Sequence, residues 1–221
     1  MLLPSGTGVK FVVYHYTAVG DSLTFGFGAM PGSGFVSLYR RMAEVKLKRF
    51  VAHENLGING LTAKELNERL MQAAAFRYHL QQAQIITLSI GGNDLIRAVK
   101  SSGGRPTREV LDAALYRCQH HVAEIIGKIQ RLKSAEGKLY YMRVIGLYNP
   151  YPAWSEAVEY VVRFNRFLFA MEHDYFRVAD VYSLFAGRER ELLSIDGIHP
   201  NGSGYRVIAL QLDRLGYKPF G

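Results

Sequence analysis

Apolar, largely β-branched residues fall in short runs at 9–16 and 85–90, each leading into Gly or Gly-Asp. Runs of this kind read as strands buried on both faces, the pattern of a parallel sheet. Residues 138–145 and 176–181 have the same character. Between them, segments 63–78, 108–133 and 154–173 carry apolar positions at helical spacing. Strand-helix alternation predicts an α/β fold, a doubly wound three-layer sandwich with right-handed crossovers. Ligands in such sheets bind beyond the carboxyl ends of the strands, where the strand order reverses.

No repeat, low-complexity tract or linker divides the 221 residues, so one domain over 1–221 is expected. Ser101-Ser102-Gly103-Gly104-Arg105-Pro106 is the best candidate for a mobile loop. Apolar residues at 48% and charged residues at 21% are the balance of a globular protein, not a disordered or fibrous one. The single Cys118 allows no internal disulfide, and residues 1–10 lack the basic head and apolar run of a signal peptide. No segment has the apolar length of a membrane span. A cytoplasmic setting without a transmembrane segment follows as the expectation.

A net charge of +8 raises the question of an anionic partner, nucleic acid or a lipid surface. Lys and Arg are dispersed, however, and only Arg40-Arg41 and Lys46-Leu47-Lys48-Arg49 cluster. A solvated helix face accounts for them, and no nucleic-acid partner is expected.

Chemistry concentrates in four short blocks. Val19-Gly20-Asp21-Ser22-Leu23 puts a hydroxyl in a turn at the carboxyl edge of the sheet, where Ser22 can be a nucleophile or, with Asp21, a helix N-cap. Asn55-Leu56-Gly57-Ile58-Asn59-Gly60 precedes a helix; Gly60 can present an amide to a ligand or simply turn the chain. Gly91-Gly92-Asn93-Asp94 follows a buried strand and places an amide side chain, or an Asx cap, at the same edge. Asp196-Gly197-Ile198-His199-Pro200 brings a carboxylate near an imidazole. That spacing suits a base whose tautomer is fixed by the acid, and equally an Asp that caps its own turn beside an exposed His.

Taken together, and in this order, the blocks resemble those of the SGNH (GDSL) hydrolases, over the stretch from Gly20 to about Tyr205. The resemblance implies a flavodoxin-like sheet and a serine esterase of lipase or lysophospholipase type, cleaving small-molecule or lipid esters. It assigns Ser22, Asp196 and His199 as catalytic residues, and the amides of Ser22 and Gly60 with the Asn93 side chain as an oxyanion hole. Gly60 is preferred to Gly57 because the matching glycine opens the helix. Acyl transfer of this kind needs no metal or cofactor. Carbohydrate O-deacetylation or thioester cleavage would use the same three residues, and a basic binding module is the rival from another class. The oligomeric state is left open.

Other signals carry less. Cys118 and His121 can share a helix face, without the further ligands of a zinc site. Glycines 26, 28, 32 and 34 lack the Lys-Ser or Lys-Thr of a phosphate loop and read as a flexible rim, and Asn201-Gly202-Ser203 is a formal glycosylation sequon. Phe25, Phe27, Met30 and Phe35, with Tyr148, Tyr151 and Trp154, can line an acyl pocket or pack their loops onto the sheet.

Overall fold

In the computed structural model, which describes residues 13–220, the apolar runs assemble into one parallel five-stranded sheet. Its strands are β1 (Tyr14–Gly20), β2 (Val51–Gly57), β3 (Ile85–Ser89), β4 (Tyr141–Ile145) and β5 (Phe176–Ala179). Their order is β2-β1-β3-β4-β5, the flavodoxin-like order, which reverses between β1 and β3. Gly20 and Ser89 are register partners at the carboxyl ends of those two strands, so the loops after them face one crevice.

The intervening chain forms α1 (Ser22–Phe25), α2 (Phe35–Leu47), α3 (Ala63–Gln72), α4 (Ala74–Gln82) and α5 (Gly92–Ser101). It continues as α6 (Arg108–Glu136), α7 (Ser155–Phe169), α8 (Tyr182–Phe185), α9 (Glu189–Leu192) and α10 (Gly202–Arg214). Alternation along the strands sends Val19, Ile86, Leu88 and Val144 into the core shared with α3 to α7. Tyr16, Ala18, Ile85 and Ile145 enter the opposite core, built with α2 and α10. Among the described residues no helix is long and apolar enough to cross a membrane.

Several boundaries differ from those the pattern predicts. The part of the first run at 9–12 lies outside the described residues, and β1 extends through Thr17-Ala18-Val19 to Gly20. Small residues pack there because helices close over both faces of this inner strand. The segment 63–78 is two helices, broken at Ala73, where ψ of 107° leaves the helical region. Strand β2 has no buried run: it lies at one edge of the sheet, and its His53, Glu54 and Asn55 face solvent. The basic cluster does fall largely on a solvated helix: Arg40 pairs with Glu44 at 2.8 Å, and Arg41 and Lys46 are exposed on α2.

Close approach explains two glycines. A Cβ at Gly57 would collide with the backbone nitrogen of Phe25, so α1 can lie against the end of β2 only when residue 57 has no side chain. Gly91 has φ +113°, and a Cβ there would collide with the Phe164 ring. The chain must turn from β3 into α5 at that point.

Candidate active site

Gly20 ends β1, and Asp21 then caps α1: its Oδ1 accepts from the Leu23 amide at 3.1 Å and from the Ser89 hydroxyl at 2.8 Å. Since Asp21 fills the cap, the Ser22 side chain is left for another partner. The Ser22 amide, first in the helix, has no acceptor within it.

That partner arrives from the far end of the chain. His199 Nε2 lies 3.0 Å from Ser22 Oγ, and His199 Nδ1 lies 2.6 Å from Asp196 Oδ2. The other carboxylate oxygen of Asp196 accepts from the amides of Ile198 and His199, each at 3.0 Å. Asp196 therefore caps its own turn and holds the imidazole at once; the two alternatives for this block coexist. Burial pushes its carboxyl up, but the hydrogen bonds from His199 and the two amides outweigh burial and leave it below the usual range.

The loop that carries His199 is fixed from several sides. Ser194 donates its amide to the His199 carbonyl at 2.7 Å, and the Tyr148 hydroxyl donates to the Ile198 carbonyl at 2.6 Å. Asn201 caps α10 through its Oδ1, while its Nδ2 donates to the carbonyls of Glu191 and Leu193. Both ends of the sequon amide are thus committed to the fold. The Phe27 ring sits 4.5 Å from the imidazole, and a Cβ at Gly28 would lie 2.8 Å from the Pro200 carbonyl. Phe27 and Gly28 of the glycine-rich segment thus pack against the histidine loop, while Met30, Pro31 and Gly32 are exposed.

Asn93 stands in the first turn of α5 and donates Nδ2 to the Leu61 carbonyl at 3.0 Å, which leaves one of its two N–H groups over. Asp94 accepts from the Ala63 amide at 2.9 Å and so joins α5 to α3. Gly60 occupies a turn closed by the Leu61 amide on the Ile58 carbonyl, with φ +77°, and its own carbonyl accepts from Arg97 at 2.7 Å. Ser22, Asn93 and His199 line one cavity of about 430 Å³; Gly60 is not among its lining residues.

Apolar side chains dominate that cavity, notably Leu95, Ile96 and Val99 of α5, Leu111 of α6 and Val161 of α7. Tyr148, Tyr151 and Trp154 also line it. From the other candidate loop, Phe35 is buried in the α2 core, whereas Phe25 and Met30 are exposed and Phe27 packs on the imidazole. The pocket is therefore built from α5, α6 and α7 rather than from the 25–35 loop. Cys118 is buried beneath Gly91, and His121 pairs with Glu124 at 3.2 Å.

The pattern left three supporting residues without a role: Ser89, Arg97 and the Tyr148 hydroxyl. Ser89 is the last residue of a buried strand, a position where a polar side chain needs a nearby partner, and that was the available signal. Arg97, which links Glu65 at 2.8 Å to Gly60, carried none, because exposed arginines on helices are common.

Asp21 has a measurable consequence. It is 4% exposed, and burial raises its carboxyl from 3.8 to about 6 against the opposing hydrogen bonds from Ser89 and Leu23. The folded protein then holds this proton more tightly than the unfolded chain, so the group favours folding below 3.8 and loses that contribution as pH rises to about 6. Asp21→Asn keeps an oxygen for both donors and removes the titration. Relative to the native chain, the variant is expected to gain up to about 3 kcal/mol between roughly pH 3.5 and pH 7.5 in urea unfolding. A difference that stays constant across that range would refute the shift.

A serine, an imidazole and a carboxylate stand in hydrogen-bonded series at the switch point of the doubly wound sheet, an arrangement that serine hydrolases use. The chain belongs to the GDSL-like lipase/acylhydrolase family, whose model matches residues 18–207. It is 34% identical over 204 residues to the spore germination lipase LipC of Bacillus licheniformis, covering 91% of this chain and 96% of that one. The crystal structure of the lipase Lip_vut3 from a goat rumen metagenome superposes with a TM-score of 0.88 at 33% identity, covering 94% of this chain and all of that one. A mutant of Axe2, an acetyl-xylooligosaccharide esterase from Geobacillus, shares the fold with a TM-score of 0.70 at 16% identity, over 94% and 96% of the two chains.

Proposed function

We propose that this chain works as a single-domain carboxylic ester hydrolase with Ser22 as nucleophile, His199 as general base and Asp196 as the group that orients it. The reading rests on the 3.0 Å and 2.6 Å contacts that link the three, with Ser22 and His199 lining a largely apolar cavity. Ser22 Oγ attacks the ester carbonyl carbon while His199 Nε2 takes its proton. The tetrahedral oxyanion is met by the Ser22 and Gly60 amides and by the free N–H of Asn93. Collapse expels the alcohol, which receives the proton from His199. Water then attacks the acyl-enzyme, with the imidazole again as base, and the acid leaves.

Hydrocarbon lines the cavity, which favours a fatty acyl group, as in a lipase or lysophospholipase, over the acetyl group of a carbohydrate. Sulfur in place of the leaving oxygen changes little at Ser22, so thioesters fall within reach of the same residues. The lone Cys118 is buried, which suits a reducing, cytoplasmic setting. The dispersed positive charge supports no nucleic-acid partner.

An alkyl fluorophosphonate tests the assignment directly, because an activated serine attacks it far faster than an ordinary hydroxyl does. One equivalent is expected to bind, with the added mass on the peptide that holds Ser22 and with ester hydrolysis lost in parallel. Stoichiometric labelling elsewhere, or labelling with full residual activity, would remove Ser22 from the mechanism.

A further inference from the structure

The cavity that Ser22 lines shares part of its wall with a second one. This separate space has a volume of about 400 Å³, and Gly104, Leu111, Trp154 and Tyr160 line both. The two spaces differ in chemistry. The first presents Leu95, Ile96 and Val99, whereas the second is ringed by Arg105, Arg108, Glu156 and Glu159. Arg108 and Glu159 are paired at 2.7 Å.

We propose that Leu111, Trp154 and Tyr160 are a partition that sets the longest acyl chain this enzyme accepts. The inference rests on the assignment of the first cavity to the acyl chain and goes on to name its far wall. A methyl end pushed past the partition would meet charged groups and strip their water without offering hydrogen bonds in return. Each methylene short of the wall gains from burial; each one beyond it does not.

Helix α5 supplies the scale. Asn93 lines the cavity at the nucleophile and Lys100 lines it farther along the same helix. Seven residues at 1.5 Å rise span roughly 10 Å. An extended hydrocarbon advances about 1.25 Å per bond, from a C–C length near 1.5 Å at a tetrahedral angle, so roughly eight carbons fill the distance. Burial of a methylene is worth about a fourfold gain in kcat/KM while the chain is still short of the wall.

The experiment is a kcat/KM profile over p-nitrophenyl esters from acetyl to hexadecanoyl, read as ratios between chain lengths so that changes in turnover cancel. The native profile is expected to climb to about eight carbons and then level or fall. Leu111→Ala opens the partition and is expected to raise the dodecanoyl-to-butyryl ratio by about fifteenfold, roughly two methylenes' worth of burial. Because Leu111 is buried and its truncation can unfold the chain, Trp154→Ala, at a half-buried position, repeats the test in the same direction. Val99→Phe fills the cavity short of the wall and is expected to lower the octanoyl-to-butyryl ratio by a similar factor.

Profiles of folded Leu111→Ala and Trp154→Ala that coincide with the native one would overturn the partition. If fluorophosphonate still labels Ser22 in that case, the serine mechanism stands and only the wall is wrong. A native profile that falls from acetyl upward would overturn the acyl assignment of the cavity and the partition with it.

Discussion

Ser22→Ala should lose ester hydrolysis by about ten-thousand-fold or more while leaving the fold intact. Among the described residues, Ser22 Oγ hydrogen-bonds only to His199 Nε2, so removing the hydroxyl orphans no other buried group. The methyl that remains occupies less space than the side chain it replaces, at a site that already opens on the cavity. Thermal unfolding is therefore expected to shift little. Turnover, by contrast, loses the atom that forms the acyl-enzyme. What remains is the rate that oxyanion donors and substrate positioning provide for direct attack by water. Steady-state assay of purified native and variant protein on an octanoyl ester checks this, and a variant within tenfold of native would exclude Ser22 as nucleophile.

The same dependence on a few groups explains which parts of the molecule could be read from the chain. Inner strands announce themselves because both faces are covered: Ile85 to Ser89 and Tyr141 to Ile145 are buried at every position. The outer strand β2 does not, since half of its surface is wet and its polar residues resemble a loop. Backbone breaks are equally silent. Nothing in the apolar spacing of 63–78 marks Ala73 as the residue that leaves the helix, because neighbours in space decide it.

The site was legible at its ends and less so in its middle. Ser22, Asp196 and His199 lie in blocks whose residue types are limited by chemistry, and the structure brings the three into one hydrogen-bonded series. Asn93 joins them at the cavity. The role proposed for Gly60 rests on a backbone amide alone, which any residue possesses, so it depends on turn geometry that spacing does not encode. The pocket residues suffered from the opposite problem. Aromatic residues abound in both flanking loops, and only the packing of α5, α6 and α7 separates Tyr151 and Trp154, which line the cavity, from Phe25 and Met30, which face solvent.

Asp21 and Asp196 show how burial assigns opposite roles to carboxylates on either side of one imidazole. Asp21 is enclosed and is pushed towards its protonated form, with hydrogen bonds that serve the turn holding Ser22. Asp196 stands nearer to solvent and accepts from three N–H groups, which keeps it ionised. In the proposed mechanism, the negative charge that steadies an imidazolium during proton transfer therefore comes from Asp196.

Replacing that carboxylate by its amide should be nearly as damaging as removing the serine. In Asp196→Asn, the side-chain oxygen is still required by the amides of Ile198 and His199, both of which donate to Oδ1. The new NH2 must then face His199 Nδ1, where the native Oδ2 accepts. An amide donor can be satisfied there only if Nδ1 carries a lone pair, so the ring proton moves to Nε2. Ser22 Oγ would meet an N–H in place of a base. Activity is expected to fall by about ten-thousand-fold, although shape and size are almost unchanged. Asp196→Ala sets no such demand on the ring and leaves the productive tautomer accessible, so its loss should be smaller unless the histidine loop itself shifts. The nitrogen chemical shifts of His199 read the tautomer independently of rate: the native chain should show Nδ1 protonated and the asparagine variant Nε2 protonated. Full activity in Asp196→Asn, or an unchanged tautomer accompanied by lost activity, would mean that the carboxylate does not act by orienting the imidazole.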